Sequence, residues 1–93
     1  MHAMIVTVAI DPARAEESMA ALHGSTIPAV KAREGFVRGA WLRSSDGTSG
    51  RGVVLFDSEE HTRATADVVQ QGQTADAPVT IQSIEIFEVV GEA

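Results

Sequence analysis

The placement of Val and Ile constrains this chain more than any other feature. Of 17 such residues, 13 fall within four runs, Met4–Ile10, Gly35–Arg43, Arg51–Asp57 and Val79–Val90, and the whole sequence holds only three Leu. Branching at Cβ stiffens χ1 and suits a pleated, packed surface, so the four runs read as four strands. The first, Met4-Ile-Val-Thr-Val-Ala-Ile10, is almost continuously apolar, as a central strand covered on both faces would be. The last is longer, and its alternation slips between Ile81 and Ile84, which predicts a bulge around Gln82-Ser83. Beyond the slip, Ile84, Ile86 and Val90 share one face and Phe87 and Val89 the other.

Helical signals fill two of the gaps. Asp11 followed by Pro12 is a cap and a first helical residue, with Glu16 and Glu17 near the positive N-terminal end. Ala15, Met19, Leu22, Ile27 and Val30 then recur at helical spacing as one apolar stripe. Pro28 cannot donate to the carbonyl of Gly24, so the helix should bend near Gly24-Ser25, and Gly35 ends it. Asp46-Gly47 with Thr48-Ser49-Gly50 is turn chemistry, which joins the second and third strands in a hairpin. Asp57 or Ser58 caps a second helix, Asp57 with Glu60 matching the spacing of a capping box. That helix has a lean apolar side, Ala64, Thr65 and Val68. Gly72 to Pro78 is a loop.

The order β-α-β-β-α-β is that of a ferredoxin-like α+β domain: one four-stranded antiparallel sheet with both helices on one face. With 93 residues there is room for a single domain, residues 1–93. Yet the strands carry apolar side chains on both faces. Left bare, the second face would be a sizeable apolar patch, and a second copy of the chain is its simplest cover. The expectation is a homodimer with sheets packed face to face.

Composition narrows the chemistry. There is no Cys, Tyr or Asn and one Trp. Without Cys there are no disulfides, thiolate metal sites or thiol nucleophiles, and a small domain lacking disulfides points to the cytoplasm. The three His show no paired spacing for a metal, and no motif calls for a cofactor. No apolar run reaches the length of a membrane-spanning helix. The net charge of −6, with seven basic residues, works against binding nucleic acid.

The segment Gly35-Phe-Val-Arg-Gly-Ala-Trp-Leu-Arg43, after a Pro-containing helix, resembles the second strand of the antibiotic biosynthesis monooxygenase superfamily, the dimeric α+β barrels. Gly52-Val-Val-Leu-Phe56 leading into Asp57-Ser58-Glu59-Glu60 is similar to the strand that follows, and Ile84-Glu-Ile-Phe-Glu-Val89 to the closing strand. The resemblance spans nearly the whole chain. It implies a face-to-face dimer with an apolar cavity between sheet and helices. Some members oxidise aromatic polyketides with oxygen and neither metal nor flavin; others degrade haem. The polyketide enzymes are associated with Asn, Trp and Tyr near the substrate, and only a Trp can be matched here. The haem degraders use an Asn, a Trp and a His, and no Asn is present.

Two function classes follow: a cofactor-independent monooxygenase for an apolar, polyketide-quinol-like aromatic, or a non-catalytic dimeric domain binding a small apolar ligand or a protein partner. Trp41 either stacks on a flat substrate or fills an interface. By alternation it shares a face with Val37, Gly39 and Arg43, while Phe36, Arg38, Ala40 and Leu42 share the other. His61, in the first turn of the second helix, and His23, late in the first, are the candidate proton acceptors, with solvated helix positions as the alternative. Arg38, Arg43 and Arg51 either hold a carboxylate or phenolate or guard strand edges. Trp41, Arg38, Phe36 and Phe56 are the candidate substrate contacts.

Overall fold

A computed structural model describes residues 1–93. Its strands are β1 (His2–Ile10), β2 (Phe36–Arg43), β3 (Ser49–Phe56) and β4 (Val79–Glu88), in one antiparallel sheet of order β2-β3-β1-β4. β1 is central, as its composition requires, and β3 lies beside it as the other inner strand. A short 3-10 turn, Pro12–Arg14, follows β1, with Asp11 accepting from the Ala13 N–H at 3.0 Å. Helix α1 (Ala15–Ala21), a π-helical turn (Leu22–Thr26) and α2 (Ile27–Lys31) then run on without a break. Helix α3 (Glu59–Gln71) links β3 to β4. No helix is long and apolar enough to cross a membrane.

The inner face of the sheet carries Met4, Val6, Val8 and Ile10 from β1 opposite Val54, Gly52 and Gly50 of β3. At one end this face is packed. Met4, Val6, Val30, Val54, Phe56 and Ala66 form the buried core, and Phe36 meets Phe56 edge-on with ring centroids 6.3 Å apart. At the other end the helices stand off the sheet. Only 11 of 93 residues are buried, so much of the apolar complement lines spaces or faces outward.

Several expectations are corrected by local geometry. The Pro28 effect appears as a wider turn, with the Ile27 N–H donating to Leu22 O five residues back, which makes room for the proline ring beside Gly24. Of the two cap candidates Ser58 is the one that caps α3, accepting from the His61 N–H at 3.2 Å, so the Asp57–Glu60 capping box does not form. The inward side of α3 is Thr62, Thr65 and Ala66, whereas Val68 is 48% exposed. Val90 lies beyond the end of β4 and is exposed, so it shares no sheet face with Ile84 and Ile86. The bulge in β4 lies where alternation slips: Thr7 pairs with Ser83 and Val8 with Ile81, leaving Gln82 unpaired.

A second irregularity shows no sequence signal. Phe36 pairs with Phe56 but Arg38 with Leu55, so Val37 is the extra residue of a bulge in β2. It turns Phe36 onto the same inner face as Gly39, Trp41 and Arg43, and leaves Arg38, Ala40 and Leu42 outward.

Candidate functional site

The space between sheet and helices is an apolar cavity of about 1060 Å³. Its floor is cut into the sheet by missing side chains. Trp41 pairs with Gly52 across β2 and β3. A Cβ at Gly52 would lie 3.0 Å from Trp41 Nε1, and one at Gly39 3.0 Å from the far edge of the indole. The ring therefore lies flat across two glycines, one on its own strand and one on the next. Gly50 continues the floor beside Val8 and Ile10. A side chain at Gly39 or Gly52 would lift the indole into the cavity.

The roof comes from the apolar stripe of the helices. Met19, Leu22 and Ile27 line the cavity rather than packing fully against the sheet, and the buried Val30 closes it at the packed end. The π-helical turn adds His23, Ser25 and Thr26. Helix α3 contributes Thr65 and Val69, and the loop after it Gln73. Gln73 fastens that loop to β4: its Oε1 accepts from the Ile81 N–H at 2.7 Å and its Nε2 donates to Val79 O at 3.1 Å.

The structure brings together only two of the six residues singled out as site candidates. Trp41 and His23 line the cavity, His23 as a side chain still exposed to solvent. Phe36 and Phe56 do not: the Val37 bulge turns Phe36 inward onto Phe56, and both belong to the packed end. Arg38 points to the opposite face and binds Glu92 at 2.6 Å. His61 is outside the cavity as well. Its Nδ1 donates to Asp57 Oδ1 at 2.6 Å, and its Nε2 is 3.5 Å from Glu34. The hydrogen bond to Asp57 raises the imidazole pKa and lowers that of the carboxyl, with Glu34 and Glu60 adding to the first effect. This cluster ties the start of α3 to the end of α2, beside Gly35.

Arg33 was not anticipated. It lines the cavity, and its Nε donates to the buried Thr65 hydroxyl at 3.4 Å. It lies in the turn after α2, which ends at Lys31 and not at Gly35 as the glycine suggested, so it fell outside the apolar stripe. Arg43 also lines the cavity and shares the inner face of β2 with Trp41.

The chain is an α+β domain with one apolar cavity laid over an antiparallel sheet, and its architecture recurs among solved structures. The haem degrader MhuD of Mycobacterium tuberculosis superposes with a TM-score of 0.65 at 24% identity over 98% of each chain. The ActVA-Orf6 monooxygenase of Streptomyces coelicolor, solved with nanaomycin D, gives 0.66 at 17% identity over 99% of this chain and 89% of that one. A Bordetella bronchiseptica protein named for antibiotic biosynthesis monooxygenases gives 0.67 at 17% identity over 96% of each. No protein-family model matches the chain. No curated protein matches it either. The fold is the one these solved structures share, a four-stranded antiparallel sheet with its helices on one face.

Proposed function

We propose that this domain is a small monooxygenase-like enzyme that uses oxygen without a cofactor to oxidise an apolar aromatic molecule of the quinol type. The observation that carries the reading is the cavity: about 1060 Å³, apolar, with an indole laid flat on its floor. A planar substrate stacks on Trp41. His23, the one imidazole in the lining, takes the proton that leaves when an anthrone-type carbon acid ionises. The carbanion passes electrons to O2 and a C–O bond forms, giving a hydroperoxide. Breaking its O–O bond, with loss of a further carbon-bound hydrogen as a proton, releases water and leaves a carbonyl. One O2 is consumed per quinone and water produced, the carbon being oxidised and the oxygen reduced. The apolar side chains around it slow reprotonation of the carbanion. The fold shared with the Streptomyces monooxygenase and the haem degrader supports the class.

A homodimer belongs to this proposal. On the outer face lie Ile5, Ala40, Val53 and Leu55, with Leu42 56% and Phe87 50% exposed. Such a surface calls for cover, and a second copy brings an identical apolar face to it. A cysteine-free chain also suits the reducing cytoplasm.

The second reading is a non-catalytic domain holding a small apolar ligand. It is favoured by the sparse acid–base equipment of the lining, one His with no Asp or Glu. Incubating the protein with an anthrone-type quinol in aerated buffer, free of metal and flavin, separates the two. Quinone formed faster than in protein-free buffer supports the enzyme. Saturable binding across a panel of quinols without turnover supports the ligand carrier.

A further inference from the structure

Charge is distributed unevenly around the cavity. The chain has 13 acidic residues and seven basic ones, yet no Asp or Glu lines the cavity, while Arg33, Arg43 and Arg51 do. Of the four arginines other than Arg33 and Arg43 three are matched, Arg14 with Glu17, Arg38 with Glu92 and Arg63 with Glu59, and Arg51 is not. Neither Arg33 nor Arg43 takes part in any ion pair of the fold. Arg51 alternates onto the outer face of β3, so the guanidinium groups on the cavity side are those of Arg33 and Arg43. Lys31 is unpaired too, but it lies exposed outside the cavity.

Arg33 is the more telling of the two. It is half-buried, and its one side-chain bond is through Nε to Thr65 Oγ1, which leaves both terminal nitrogens of the fork without a partner. A guanidinium stays charged in proteins, and withdrawing it partly from water without a counter-charge is costly. Its planar fork matches a carboxylate or sulfonate. Arg43 is exposed near the end of β2, where it can attract an anion toward the cavity.

We infer that the ligand of this cavity is an organic anion, a flat apolar body whose acidic group is held by Arg33 beside Thr65, with Arg43 steering its approach. This rests on the cavity being the ligand site, and it names the substrate class for that site. An aromatic acid or an ionised phenol meets the description; a neutral hydrocarbon leaves Arg33 unpaired.

The test uses two fluorescent probes of one skeleton, anilinonaphthalene sulfonate and neutral N-phenylnaphthylamine, titrated into the full chain. Trp41 is the only indole, so probe emission sensitised by tryptophan reports binding close to the cavity floor. The sulfonate should bind about tenfold or more tightly than the neutral probe, the scale of one charge-assisted contact. Arg33→Gln should remove most of that preference while leaving the neutral probe unaffected, and Arg33→Lys should keep part of it. Arg63→Gln, on the outer surface of α3, should change neither. Equal affinity of the two probes in the wild type, or a preference that survives Arg33→Gln, overturns the inference and leaves the cavity standing as an apolar site. If neither probe binds, the ligand-site reading falls with it.

Discussion

Trp41 and Gly52 face one another across β2 and β3, and the indole lies over the space that a side chain at Gly52 would take. The glycine thus sets the height of the cavity floor. Gly52→Val should force the ring from its place: a Cβ would lie 3.0 Å from Nε1, and the added methyls closer still. The expected readouts are a shift in tryptophan emission and loss of probe or quinol binding, in a protein that still melts cooperatively. Unchanged emission would mean that the indole does not rest on this glycine.

Trp41→Ala and His23→Gln separate stacking from proton transfer. If quinol turnover occurs, removing the ring should weaken substrate binding and raise KM, at a cost of about 0.5–1.5 kcal/mol or more for a lost aromatic contact. Removing the base should lower kcat by roughly 10²-fold or more, the usual contribution of a positioned proton acceptor. Turnover by His23→Gln at the wild-type rate would rule out His23 as the base.

Phe56 is fully buried and joins β1, β3 and Phe36 at the packed end. Phe56→Ala should cost about 3–5 kcal/mol, as other buried Phe truncations do. Urea unfolding followed by far-UV circular dichroism measures it. A loss below about 1 kcal/mol would show that this end is less tightly packed than its burial indicates.

Gly35 has φ of 82°, and a Cβ there would come within 2.5 Å of Asp57 Oδ1 and collide with the His61 ring. Gly35→Ala should therefore destabilise by about 1–3 kcal/mol from backbone strain and displace the His61–Asp57 hydrogen bond as well. Gly47 also has a positive φ but open space around it, so Gly47→Ala should carry the strain alone. Equal losses in thermal melts of the two variants would contradict the crowding at Gly35.

The His61 cluster makes stability depend on pH. Its imidazole pKa is raised, chiefly by the bond to Asp57, with Glu34 and Glu60 adding to it. A raised folded value means the stabilisation is complete below the unfolded value of about 6.5 and is lost as pH rises through the folded one. Asp57 is shifted down, so its share is lost only as pH falls through that lowered value. His61→Gln should thus lower Tm most near about pH 5.5 and least near about pH 8.5. A penalty that does not change with pH would mean that His61 acts only by filling space beside Gly35.

The sheet was legible because strand composition is a local property. Met4–Ile10 is too apolar to lie at an edge, and it pairs on both sides. The slip between Ile81 and Ile84 likewise located a bulge, since alternation breaks visibly in a strand with branched residues on both sides of it. The bulge at Val37 left no such mark. Phe36 and Val37 are both apolar, so either could take the inner face, and only pairing with Phe56 and Leu55 decides it. That one residue turned Phe36 into the core, which removed it from the site, while Arg38 stays on the face opposite Trp41 as alternation has it.

By itself the sequence determined the element order, the irregularity in the first helical segment ahead of Pro28, and the chemistry that a chain without Cys, Tyr or Asn does not have. Those follow from backbone preference and composition, which act within a few residues. Only the tertiary structure decided that Trp41 lies on Gly39 and Gly52, that His23 lines the cavity while His61 does not, and that Arg33 enters it without an acidic partner. Each of these depends on register between strands or on how far a helix stands from the sheet. Such distances are set by side chains remote in sequence, and no local pattern encodes them.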